Sequence, residues 1–127
     1  MRALLAGAAA ALLAPSVGAL SQPQTYRVVT SSQLLGGSVP SGERVEVVGH
    51  AWFSGDSAYL NVNVPSARFP MRVDISGVDG EESLRFKSAC HAPDQFRGGC
   101  RTRIRGRTEK IGERQGIVAV QIQSLAQ

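Results

Sequence analysis

An arginine stands at every second position of the stretch Gly99-Cys100-Arg101-Thr102-Arg103-Ile104-Arg105-Gly106-Arg107. Successive side chains of a β-strand point to opposite faces, so a strand would place all the arginines of this stretch on one face. The residues between them are small or apolar and would then face a core. A helix would instead scatter the arginines around its circumference. The spacing therefore predicts a strand, Cys100–Thr108, whose outer side carries four cations: Arg101, Arg103, Arg105 and Arg107.

Four further strands are predicted from alternating apolar side chains. The segments Arg44–Phe53, Ala58–Val64 and Phe69–Ile75 follow one another through short turns, as in a meander, and Gly116–Gln123 follows a charged loop. Gly49 lies within the first of these strands and predicts a bend or a bulge there, because glycine weakens a flat strand. The expected core residues are Val45, Val47, Gly49, Ala51, Phe53, Leu60, Val62, Val64, Met71, Val73, Ile75, Ile104, Val118, Val120 and Ile122.

Two segments outside these strands are less regular. Tyr26–Val29 predicts a short strand, and Thr30-Ser31-Ser32 predicts the N-cap of a helical turn over Gln33–Leu35. Glu81–Ala89 fits a short helix with acidic residues at its positive N-terminal end. The same segment also fits an irregular strand, because its apolar residues alternate.

Three meandering strands, an excursion and two more strands resemble the OB-fold, a five-stranded Greek-key barrel. The pieces Val45-x-Val47-x-Gly49 and Ile104-x-Gly106 are similar to the first and fourth strands of small bacterial OB-fold domains, including exported ones. The resemblance implies an all-β fold with one short helix over residues 44–127. It also implies that Glu46 lies beside Arg103 or Arg105, because the fourth strand of an OB barrel pairs with the first. An SH3-type barrel and a β-sandwich are the alternatives.

The first nineteen residues have the parts of a secretory signal. Arg2 precedes an uncharged apolar run from Leu4 to Ala14, and Val17-Gly18-Ala19 supplies small residues for cleavage after Ala19. The apolar run is too short to cross ~30 Å of hydrocarbon. We therefore expect a periplasmic or secreted protein, with residues 20–43 forming an N-terminal extension before the barrel.

The two cysteines of the chain, Cys90 and Cys100, are expected to form a disulfide, because exported proteins enter an oxidising compartment. A metal site formed with His50 and His91 is the alternative. The spacing of these residues differs from that of zinc sites, which use closely paired ligands. We therefore expect neither a metal nor another cofactor.

Two surfaces are candidates for binding. The outer arginines suit phosphate or carboxylate groups, although they also fit an ordinary solvated strand face. OB barrels commonly bind on the outer face of the second and third strands and the adjoining loops. By resemblance, that surface would present Trp52, Tyr59, Asn61, Asn63 and Arg72.

The expected function is that of a non-enzymatic exported binding module for an anionic ligand or a partner protein. Neither histidine lies in a catalytic motif, so an enzyme is not expected. Without Arg2 the net charge is only +3, but six of the thirteen remaining basic residues fall between Arg101 and Arg114. One alternative is a single-strand nucleic-acid-binding protein that stacks bases on Trp52 and Tyr59. Another is a structural accessory domain of an envelope assembly.

Overall fold

The computed structural model describes residues 25–61, 70–93 and 98–125. In this part of the chain, strands and helices follow one another as β1 (Arg27–Val29), α1 (Ser31–Leu35), β2 (Arg44–Ser54), β3 (Ser57–Asn61), β4 (Pro70–Asp74), α2 (Gly80–Ala89), β5 (Cys100–Ile111) and β6 (Arg114–Ser124). The predicted strands are thus present, with ends that differ by a few residues. Val62, Val64, Phe69 and the predicted signal lie outside the described residues.

Strands β2 to β6 close into a barrel. β2 pairs antiparallel with both β3 and β5, β3 with β4, and β5 with β6. A parallel pairing of β4 with β6 completes the ring. This ring order, with a helix between the third and fourth barrel strands, is an OB-fold-like arrangement and confirms the predicted fold class.

β1 and α1 precede the barrel and attach to it. Arg27–Val29 pairs parallel with Val45–Val47 of β2. It lies on the same edge of β2 that pairs with β3 nearer the end of the strand. α1 begins at the predicted cap. The Gln33 N–H donates to Thr30 Oγ1 at 3.1 Å, and the Thr30 N–H donates to Gln33 Oε1 at 2.8 Å. This reciprocal capping box satisfies two backbone donors that the first turn leaves free.

α2 is a helix and not the alternative irregular strand. Its N-cap is Asp79, whose carboxylate accepts from the N–H groups of Glu81 and Glu82. Glu82 in turn accepts a hydrogen bond from the backbone N–H of Ile122 in β6. The helix is therefore tied to the barrel by a polar contact as well as by the buried Phe86. No helix of the described part has enough length and apolar sequence to span a bilayer.

The core contains the side chains that alternation assigns to the inside of β2 to β5. The buried set includes Val45, Val47, Ala51, Leu60, Met71, Val73 and Ile104, with Phe53 and Ile75 packed against it. Gly49 lies in a register that runs unbroken from Arg44 to Ala51 along β5, so the expectation of a bulge there is wrong. A Cβ on Gly49 would lie 3.0 Å from the Leu60 side chain, so the glycine leaves space for the core.

The predicted core residues of β6 are wrong at two of three positions. Ile117, Ala119 and Ile122 are buried, whereas Val118 is only partly buried and Val120 is 43% exposed. The cause is a register shift. Gly106 pairs with Ala119 but Arg105 pairs with Gln121, which leaves Val120 as an extra residue. Such a bulge reverses which alternate residues face inward, so a constant period of two assigns part of the strand to the wrong face.

The predicted disulfide joins Cys90, directly after α2, to Cys100, the first residue of β5. The Cα atoms are 5.2 Å apart, within the usual range for a bridge. The Phe53 N–H donates to the Cys90 carbonyl, and the Ala92 N–H donates to the Phe53 carbonyl, each at 3.0 Å. The end of α2, the end of β2 and the start of β5 are therefore fastened together.

Candidate anion-binding face

The arginine strip consists of Arg101, Arg103, Arg105 and Arg107, all on the outer side of β5 as the spacing predicts. Its neighbours come from β2 on one side and from β6 on the other. The directly paired residues are His50 with Arg101, Val48 with Arg103, Glu46 with Arg105, and Arg44 with Arg107 on the β2 side, and Gln123 with Arg103, Gln121 with Arg105, and Val118 with Arg107 on the β6 side. We call this surface, together with Val28, Glu109 and Val120, the arginine face.

One carboxylate, that of Glu46, lies between the two central arginines. Arg105 Nε donates to Glu46 Oε1 at 2.7 Å, and Arg103 Nε lies 3.8 Å from Glu46 Oε2. The placement implied by the OB-fold resemblance is therefore correct for both arginines. The second contact is an ion pair without a hydrogen bond, and Arg103 Nε has no hydrogen-bond partner among the described residues. Glu46 thus neutralises two guanidinium groups incompletely.

Neutral side chains hold the same two arginines in place. Arg105 Nη1 donates to Gln121 Oε1 at 3.3 Å, and Arg103 Nη1 lies 3.5 Å from Gln123 Oε1. The Arg105 guanidinium also lies 5.5 Å from the centre of the Tyr26 ring. This cation–π contact follows from the placement of β1 beside β2, which alternation within the strands does not specify.

The ends of the strip are less neutralised. Arg107 pairs with Glu109 on the same strand, with a donor–acceptor distance of 3.0 Å. Arg101 and Arg44 are exposed and have no ion-pair partner in the described ranges. Arg44 also stands directly opposite Arg107. The arginine face therefore carries five arginines and two carboxylates, those of Glu46 and Glu109.

The second candidate surface lies on the outer side of β2, β3 and β4. The Trp52 and Tyr59 rings stack on each other at 5.4 Å between centroids and 23° between planes. Arg72 lies 5.9 Å from the centre of the Tyr59 ring, and Asn61 follows two residues beyond Tyr59 on β3. Trp52 is only 3% exposed. The structure thus brings the aromatic pair together, but Trp52 has little free ring surface for a base. Asn63 lies outside the described residues.

A cleft of about 620 Å³ beside α2 was not expected from the sequence. Its charged lining residues are Asp56, Arg72, Asp74 and Lys87. Hydrogen bonds from the backbone N–H and the hydroxyl of Ser76 hold the pKa of Asp74 below its ordinary value, and Arg72 adds to the effect. The charges balance, so the cleft has no preference for anions that would match that of the arginine face.

No cluster of three or more His, Cys, Asp or Glu side chains in residues 25–61, 70–93 and 98–125 is arranged to hold a metal ion. The sequence matches no protein-family model and no curated protein.

Proposed function

We propose that this protein is a non-enzymatic binding module that acts outside the cytoplasm and recognises an anionic partner through the arginine strip. The supporting observation is the charge imbalance of the arginine face. Its five arginines are accompanied by two carboxylates, and one of these carboxylates is divided between Arg103 and Arg105. An anionic partner would supply the missing negative charge.

The like-charged pair at one end of the strip strengthens this argument. Arg44 and Arg107 are cross-strand partners, and like charges directly opposite each other destabilise a sheet. A strand face that served only solubility would be satisfied by neutral polar residues at these positions. Guanidinium groups present paired N–H donors that match carboxylate and phosphate oxygens. The arrangement therefore favours binding over a merely solvated face.

Two features support a location outside the cytoplasm. The Cys90–Cys100 bridge is typical of oxidising compartments. The predicted signal over residues 1–19 points to the same compartment. A periplasmic or secreted module, of the kind found among small exported bacterial OB-fold domains, fits both.

The structure gives less support to single-strand nucleic-acid binding. That function requires open aromatic faces on which bases stack. Trp52 is covered, and the face of Tyr59 nearest to it is occupied by the indole. A structural accessory role in an envelope assembly would not account for the charge imbalance of the arginine face.

The test is the double variant Arg103→Gln/Arg105→Gln, titrated with fluorescent polyphosphate, poly-glutamate and a single-stranded oligonucleotide at several salt concentrations. We expect the parent to bind an anionic polymer with an affinity that falls steeply with salt. For polyphosphate, the slope of log affinity against log salt should be less steep in the double variant by about two, because two phosphate contacts are lost. Thermal unfolding checks that the variant is folded.

Arg85→Gln is the matched control. Arg85 is exposed on α2, where it pairs with Glu81, and it is not part of the arginine strip. The control removes one cation and should leave the affinity and the slope near the parent values. If the double variant binds every probe as the parent does, the strip is only a solvated strand face and the proposal is wrong.

A further inference from the structure

We infer that the partner is a protein. It binds to the arginine face through a segment in which apolar side chains lie among the carboxylates. This inference rests on the proposed function, because it names the class of anion that the arginine strip receives. It is carried by apolar residues that flank the strip, which a purely anionic partner would leave in water.

Exposed valines lie on both sides of the arginine strip. On the β2 side, Val48 pairs with Arg103 and is 37% exposed, and Val28, which is 73% exposed, pairs with Glu46. On the β6 side, the bulge turns Val120 outward beside Gln121, which pairs with Arg105. The face therefore presents a central row of cations with an apolar margin on each side.

This combination matches the composition of protein interfaces. Such interfaces are enriched in arginine and depleted in lysine relative to the rest of the protein surface. The five cations of the arginine face are all arginines, whose guanidinium groups are more weakly hydrated than the ammonium group of lysine. Polyphosphate or a nucleic-acid backbone would contact the arginines but would gain nothing from the valines. An acidic protein segment with apolar residues would bury both.

The central arginines are already positioned for such a contact. Gln121, Gln123 and Tyr26 restrict the guanidinium groups of Arg103 and Arg105. Restraint before binding reduces the side-chain entropy lost on association. From Arg101 to Arg107 the strip spans roughly 20 Å, the length of a strand of about six residues. A short extended segment of a partner protein fits this length.

The test compares two peptides of equal charge. One repeats Glu-Glu-Val-Val three times, and the other repeats Glu-Glu-Ser-Ser three times, so each presents both residue types on either face of an extended chain. Titration into isotope-labelled protein, followed by amide chemical shifts, gives the affinity and the contact surface together. We expect the valine peptide to bind severalfold more tightly and to shift amides of β1, β5 and β6.

The triple variant Val28→Thr/Val48→Thr/Val120→Thr tests the origin of that difference. Threonine has nearly the shape of valine and a high β propensity, so the exposed positions should tolerate it. The variant should reduce binding of the valine peptide to the level of the serine peptide and leave the serine peptide unaffected. If the triple variant fails to fold, Val28→Thr alone, on the short strand β1, should remove part of the difference.

Leu84→Thr serves as the control, because Leu84 is an exposed apolar residue on α2. It should preserve the full preference for the valine peptide. Equal affinity of the parent for both peptides, or no effect of the valine substitutions, would overturn the inference. The proposed function would still stand if the remaining binding, or binding of polyphosphate, required Arg103 and Arg105. Absence of binding to every anionic probe would refute both.

Discussion

The single carboxylate of Glu46 interacts with two arginines, Arg103 and Arg105, at the centre of the arginine face. Its Oε1 accepts a hydrogen bond from Arg105 Nε, while its Oε2 approaches Arg103 Nε only to ion-pair distance. Under the proposed function, an incoming anion would compete with this internal carboxylate for the same guanidinium groups. Glu46 therefore sets how much positive charge the free protein offers.

Glu46→Gln should tighten the binding of polyphosphate and poly-glutamate, in the opposite direction to Arg103→Gln/Arg105→Gln. The variant removes a competing charge and keeps an amide oxygen that can still accept from Arg105. The change in the free energy of unfolding should be about 1 kcal/mol or less, as for other partly exposed ion pairs. Paired affinity and urea-unfolding measurements check both parts. Weaker binding by a fully folded Glu46→Gln variant would mean that Glu46 positions the arginines more than it competes for them.

At the scale of elements, the β5–β6 hairpin combines the regular arginine spacing with the bulge at Val120. Gly106 faces inward at the shift, where a Cβ would meet the backbone carbonyl of Val118 and would lie 2.8 Å from Ala119 Cα. Both obstacles are main-chain atoms of the paired strand, so they cannot move aside without disturbing the hairpin. Glycine is required here by the close approach of two backbones.

Gly106→Ala should destabilise the protein by ~1–3 kcal/mol or more, as other overpacking substitutions in cores do. Gly55→Ala offers a contrast: that turn glycine has open space around its Cβ position but a positive φ of 65°, so its cost should be the smaller one of backbone strain alone. Chemical denaturation of both variants supplies the comparison. Equal stabilities would show that β6 can move away from Gly106.

The alternation of residues predicts most of this architecture but not its irregularities. In β2 to β5 the inward residues follow from a period of two, and Ile104 is buried as that period requires. Val118 and Val120 are assigned wrongly because the bulge depends on how β6 packs against Gly106 in three dimensions. Trp52 is buried although alternation places it on the outer side, and its stacking on Tyr59 across the β2–β3 pair is a contact that alternation does not specify. The ion pair of Glu46 was predictable only through the resemblance to a barrel that pairs its first and fourth strands.

For the whole molecule, the disulfide is the covalent tie between α2 and the barrel. It joins two residues ten positions apart, from the residue directly after the helix to the first residue of the arginine-bearing strand. Because Cys100 points inward, the bridge also fixes which of the following residues of β5 face the core. A shift of the strand by one position would turn the arginines toward the core.

Cys90→Ser/Cys100→Ser should lower the free energy of unfolding by ~2–3 kcal/mol, since the bridge limits the freedom of the unfolded chain. The paired strands on either side of β5 should still hold the register, so the affinity for polyphosphate should change little where the variant remains folded. Thermal unfolding of the variant, and of the parent with and without reductant, measures the effect. A parent protein whose stability is the same in both conditions would contradict this role for the bridge.

The arginine face is assembled from the two halves of the chain. Glu46 and Arg105 are 59 positions apart in the sequence, and they meet only because β2 and β5 seal the ring. The β2–β3–β4 meander and the β5–β6 hairpin can each form from neighbouring residues. The pairings of β2 with β5 and of β4 with β6 require segments that are distant in the sequence to meet. Neither half alone displays the combined pattern of cations, glutamate and flanking valines. The arginine face therefore exists only in the closed barrel, and a partly folded chain in which β5 has not yet paired with β2 lacks it.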